Sequence, residues 1–158
     1  MGAVPDADAV RDYLQKHLGV PSSQIRNLRN SEATRAAIID GIKAFTLNGE
    51  IKEGDSILIY YAGHGGSTGT PKGWEVGSTG KIELLIPYDH SSPLEGGNHR
   101  HGISDRTLGA LLSHLAVEKG DNIVRQNFIL HGAIYQLKYA TDRHPRLLSF
   151  RFWHTKYY

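Results

Sequence analysis

Apolar residues along this chain recur first at helical spacing, then run together without a break, then return to helical spacing. Val10, Tyr13, Leu14 and Leu18 fall on one helical face, with Asp6 or Asp8 available as a cap and Gly19 as a stop. Pro21-Ser22-Ser23 reads as a turn, and Gln24–Leu28 as a short strand. A second helix should follow, capped by Asn30 or Ser31, with Glu32 in its first turn where the dipole favours an acid. Its core face is Ala37, Ile38, Ile42 and Phe45, and Glu50–Gly54 is a polar loop. Ser56–Ala62 then gives Ser-Ile-Leu-Ile-Tyr-Tyr-Ala, apolar, β-branched and aromatic throughout. Such a run predicts a strand buried on both faces, as in a parallel sheet.

Gly65–Gly80 is rich in glycine, with two Ser-Thr pairs and a proline, and predicts a loop or a hairpin around Trp74. Lys81–Pro87 predicts a strand that Pro87 stops, and Asp89–Gly102 a loop. Ser104 should cap a third helix whose core face is Leu108, Leu111, Leu112 and Leu115. Lys119-Gly120-Asp121-Asn122 is a turn, and Ile123 should open a strand. Helices alternating with strands in this order predict an α/β fold with a mainly parallel sheet. Beyond Ile123 the pattern decays. Val124–Leu130 can be a strand, but Arg125, Gln126 and Asn127 interrupt the apolar run that a central strand needs. Tyr135–Tyr158 has no period and is expected to pack loosely.

At 158 residues, 39% of them hydrophobic and 22% charged, the chain fits one globular domain with a core of its own. No apolar run reaches the roughly 20 residues of a membrane span, and no amino-terminal signal pattern is present, so a cytosolic location is expected. The net charge of +2 is uneven. Ile123–Tyr158 holds six Lys and Arg against one Asp, a net +5, leaving twelve against fifteen, a net −3, in residues 1–122. The last 36 residues also hold eight of the fourteen aromatics. A basic, aromatic segment can touch nucleic acid. The reading preferred here is that it is foreign to the rest of the domain, so nucleic acid is not an expected partner.

The apolar strand ends in Ala62-Gly63-His64-Gly65-Gly66. Glycines let the backbone turn sharply, which puts His64 at the carboxyl end of a central strand, where open α/β sheets place their active sites. The partner such a histidine most often suggests is a cysteine thiolate, and the chain contains no cysteine.

Tyr60–Gly66 (Tyr-Tyr-Ala-Gly-His-Gly-Gly), Ala3–Leu14, Leu85–Asp89 and Gly102–Leu112 together make residues 2–123 resemble the caspase-like cysteine peptidases, closest to the fungal metacaspases. The resemblance implies a partial caspase-like fold and a Cys–His dyad that cleaves peptide bonds in protein or peptide substrates. It implies that His64 is the dyad histidine, that the Gly65 N–H stabilises an oxyanion, and that Asp6 helps bind a basic side chain. Asp89 follows the Pro-x-Asp of the family and reads equally well as structural. No cofactor is expected, although the resemblance allows calcium as an activator.

The departures from the family are as informative. The resemblance puts an apolar strand ahead of the segment on which Met1 begins. It also puts Asp-x-Cys-His-Ser-Gly on the strand that Ile123 opens, where this chain reads Val124-Arg125-Gln126-Asn127-Phe128. The expectation is thus a domain truncated at both ends over residues 1–123, and a divergent tail over 124–158. That tail is read as disordered, or as the product of a retained intron or a shifted frame. The chain is then an inactive piece of a cysteine endopeptidase or, alternatively, a pseudo-peptidase that acts by binding protein.

Other chemistries are weaker. Gly65-Gly66-Ser67-Thr68-Gly69 matches Gly-x-Ser-x-Gly and allows a serine hydrolase using Ser67. An elbow serine must open a helix, however, and Thr70-Pro71-Lys72-Gly73 is a poor helix start. His90, His99 and His101, with His64 or Asp89, could gather around zinc, but their spacing matches no compact site.

Overall fold

The computed structural model describes residues 3–70, 80–94, 99, 101–129 and 149–150. Helix α1 spans Ala3–Lys16, α2 Arg35–Leu47 and α3 Asp105–Lys119. Strand β1 spans Ile57–Gly63, β2 Gly65–Gly69, β3 Lys81–Leu85, β4 Ile103–Ser104, β5 Ile123–Ile129 and β6 Ser149–Phe150. The predicted α/β class is what the chain adopts.

All seven residues of β1 are buried, and the alternation of its side chains sorts the helices. Ile57, Ile59 and Tyr61 point into a core with Ile38, Ile42 and Phe45 of α2 and with Leu108 and Leu115 of α3. Tyr60 and Ala62 meet Ala7 of α1, and Leu58 meets Leu14. Helices therefore cover both faces of β1, which is why its sequence is apolar without alternation. As α1 runs from Ala7 to Leu14, its contacts on β1 run back from Ala62 to Leu58, so the two elements are antiparallel. Asp6 and His64 consequently lie at the same end of the sheet.

The sheet order is β5-β1-β6, all parallel. Ile57 to Gly63 pair in register with Ile123 to Ile129, and Leu58 and Ile59 pair with Ser149 and Phe150. The sheet therefore continues six residues past Ile123. Backbone pairing needs no apolar side chain, so Arg125, Gln126 and Asn127 do not prevent it. The remainder of the tail, 130–148 and 151–158, lies outside the described residues. A second, antiparallel sheet has the order β2-β3-β4. Its β2–β3 ladder runs from Gly65 opposite Leu85 to Gly69 opposite Lys81, so the glycine-rich stretch forms a hairpin. Trp74 is outside the described residues.

Three local expectations need correction. Helix α1 starts at Ala3, so neither Asp6 nor Asp8 caps it: Asp6 sits in the first turn, and Asp8 is paired with Arg29 and, at 3.4 Å, with Arg11. The stop at Gly19 fits, with φ at +64°, a conformation that favours glycine. Ser22–Gln24 is a 3₁₀ turn, and 24–28 forms no strand. Asn30–Glu32 is also a 3₁₀ turn, and the residue that caps α2 is Thr34, whose hydroxyl accepts from Ala37 N–H at 3.2 Å. Ser104 caps α3 as predicted, accepting from Thr107 N–H at 3.2 Å. Among the described residues, no helix is long and apolar enough to cross a membrane.

Candidate functional site

β1 ends at Gly63, and the chain re-enters a strand at Gly65, leaving His64 alone between two sheets. Its side chain is exposed at the carboxyl end of β1, where the sequence placed it. Its main chain is fixed. The His64 carbonyl accepts from Tyr61 Oη at 2.7 Å and from Ile86 N–H at 3.0 Å. Tyr61 Oη also lies 3.1 Å from the Ile86 carbonyl. Burial pushes the Tyr61 phenol well above its ordinary range, so the hydroxyl keeps its proton.

The ladder also fixes the direction of Gly65. Ile86 N–H reaches the carbonyl of His64, the residue before Gly65, so Gly65 and Leu85 face each other as a non-hydrogen-bonded pair. Gly65 N–H is therefore turned away from β3.

Asp6 is exposed in the first turn of α1. Its neighbour Ala7 packs on Tyr60 and Ala62, so the carboxylate stands at the same end of the sheet as His64.

Asp89 does structural work. Its Oδ1 accepts from Arg35 N–H, at the first turn of α2, at 2.7 Å. Tyr88 N–H donates to the Ala33 carbonyl at 2.9 Å beside it. The segment after β3 thus clamps the start of α2 with a carboxylate, where the helix dipole favours one. Asp89→Ala is expected to cost about 0.5–2 kcal/mol of stability, the range of a lost helix cap. Asp89→Asn should recover part of it, because the amide oxygen still accepts. Urea unfolding of the three proteins checks this, and equal midpoints would show that the clamp contributes nothing.

Ser67 lies within β2, opposite Glu83 in the antiparallel ladder. A nucleophile elbow is a tight turn from strand into helix, and this serine is in extended backbone. It is also three residues along from His64, roughly 10 Å in an extended chain, beyond proton-transfer reach. His99 Nδ1 is 3.1 Å from the Ser91 carbonyl. Burial lowers the pKa of His90, with a smaller push from His101 and an opposing pull from Asp89. Among the described residues no three His, Asp or Glu side chains gather closely enough to hold a metal ion.

The profile of the caspase domain matches residues 1–117, about three quarters of the chain. The chain belongs to the caspase domain family. No curated protein and no solved structure matches it. Membership relates the chain to cysteine peptidases that act on protein or peptide substrates, and the three helices about a parallel sheet are those of a partial caspase-like fold.

His64, Gly65 and Asp6, the residues that the sequence singles out, lie at one end of the sheet. Tyr61 is not among them. That residue reads as one more apolar position of β1, and the strand period gives no sign that its hydroxyl reaches back to residue 64.

Proposed function

We propose that this chain is the histidine-bearing part of a metacaspase-type cysteine endopeptidase, and that by itself it binds peptides without cleaving them. The observation that supports this reading is the exposed imidazole of His64, on a main chain held at the carboxyl end of β1. In a complete dyad the imidazole accepts the thiol proton and the thiolate attacks the peptide carbonyl. The Gly65 N–H stabilises the oxygen that gains charge. The imidazolium then donates its proton to the leaving amine. This chain has no cysteine to supply the thiol.

A second reading is a pseudo-peptidase whose function is binding alone. Strands β5 and β6 favour it, because residues past Ile123 pair with β1 on both of its edges. The first reading needs a peptide at the His64 end of the sheet, with the Asp6 carboxylate facing a basic side chain.

The test is titration with a short peptide amide ending in Arg, followed by NMR. Signals of His64, Gly65 and Asp6 should shift together. Asp6→Asn should weaken binding by about two- to fivefold, the range for an exposed ion pair. Spectra that stay unchanged at millimolar peptide would rule out the first reading.

A further inference from the structure

We propose that Tyr61 is the positioning residue of this site: its phenolic hydroxyl latches the carbonyl of His64 and so fixes where the imidazole leaves the sheet. The inference rests on the reading of His64 as the functional histidine.

Three observations carry it. First, the carbonyl of His64 has both of its acceptor positions filled, by Tyr61 Oη and by Ile86 N–H. A peptide plane held by two donors, one from β1 and one from the residue that follows β3, cannot rock, so the Cα–Cβ direction of residue 64 is set. Second, the phenol has one proton to give, and its shorter contact is to His64 at 2.7 Å, against 3.1 Å to Ile86. Tyr61 is 2% exposed, so water does not compete for it. A phenylalanine would fill the same core volume without burying a hydroxyl.

Third, the sequence has made room for the latch. A Cβ on Gly63 would stand 2.5 Å from Tyr61 Oη and 2.7 Å from its Cζ. Real Cβ atoms do not come so close, and the ring is enclosed. Gly63 is therefore required because the Tyr61 side chain curls back past it. Side chain and glycine form one device, whose polar end touches residue 64.

The experiment compares Tyr61→Phe with Val20→Ala, a core variant that packs with Leu14 and Leu58 at the other end of β1 and lowers stability without touching the site. Hydrogen exchange, ¹⁵N relaxation at His64 and Gly65, and the rate at which diethyl pyrocarbonate acylates His64 are measured on both. In Tyr61→Phe, exchange of the Ile86 N–H should rise about tenfold relative to that of Ile59, near the upper value of one net hydrogen bond. The relaxation and the acylation rate of His64 should change with it. Val20→Ala should raise exchange at Ile59 through its lower stability, and leave the relaxation and the acylation rate of His64 at wild-type values.

If both variants alter His64 alike, or neither does, Tyr61 is a core residue only and the proposal fails. Should Tyr61→Phe not fold, Gly63→Ala displaces the hydroxyl while retaining it, and the same signature at His64 is expected. Peptide binding separates the two claims. A site that binds peptide but ignores Tyr61→Phe removes the latch alone. A latch that behaves as stated in a protein that binds no peptide removes the peptidase reading alone.

Discussion

Purified protein incubated with peptides ending in Arg or Lys releases no product above the rate in buffer. The reason is the nucleophile. Caspase-like chemistry proceeds through a covalent intermediate on a thiolate, and the chain contains no cysteine. Where nucleophile and base act as a unit, loss of one removes nearly the whole effect, on the order of 10⁶-fold. His64→Ala should therefore be indistinguishable from the parent, because a base without a nucleophile has nothing to deprotonate. Turnover that vanishes in His64→Ala would overturn this. It would also restore Ser67 as a candidate, which Ser67→Ala would then decide. A fluorogenic peptide assay with long incubation suffices.

A chain ending at Asn122 loses its cooperative thermal transition, whereas one ending at Phe150 keeps it. β1 is the buried centre of the sheet, and both of its neighbours lie beyond Asn122. The β5 ladder alone aligns seven residue pairs. At about 0.5–1.5 kcal/mol per net hydrogen bond, its loss is on the order of 5 kcal/mol. That compares with about 5–15 kcal/mol for the whole stability of an ordinary domain. Removal would also leave Leu58 and Ile59 on a strand with two open edges, a template for aggregation. Calorimetry on the two truncated chains measures the outcome. A sharp transition in the shorter one would show that the domain is complete without its last 36 residues, and that the tail is foreign to it.

The exposed position of His64 was legible because chemistry and pattern coincide there. An apolar run long enough for a buried strand ends in glycines, and the histidine between them has nowhere to go but the rim. Gly19 and Ser104 were legible for the same kind of local reason. A left-handed φ of +64° favours glycine, and a hydroxyl before an amphipathic helix is a cap. Asn30 and Ser31 misled because capping residues also suit 3₁₀ turns, and Thr34 three or four positions later does the capping. Gln24–Leu28 misled because two apolar residues, Ile25 and Leu28, set among polar ones suffice for a single bridge at Ile25 and not for a ladder.

The sequence by itself determined the α/β order, the buried central strand, the histidine at its end and the absence of a thiol, all of which follow from local period and residue type. The tertiary structure alone decided the rest. That Asp89 belongs to the start of α2, 54 positions away in sequence, depends on where the chain runs after β3. That residues past Ile123 still build the sheet depends on backbone hydrogen bonds, which carry no trace in side-chain pattern. That Tyr61 holds His64 depends on a ring folding back over Gly63, a contact between neighbours in sequence that only the turn at the strand end creates.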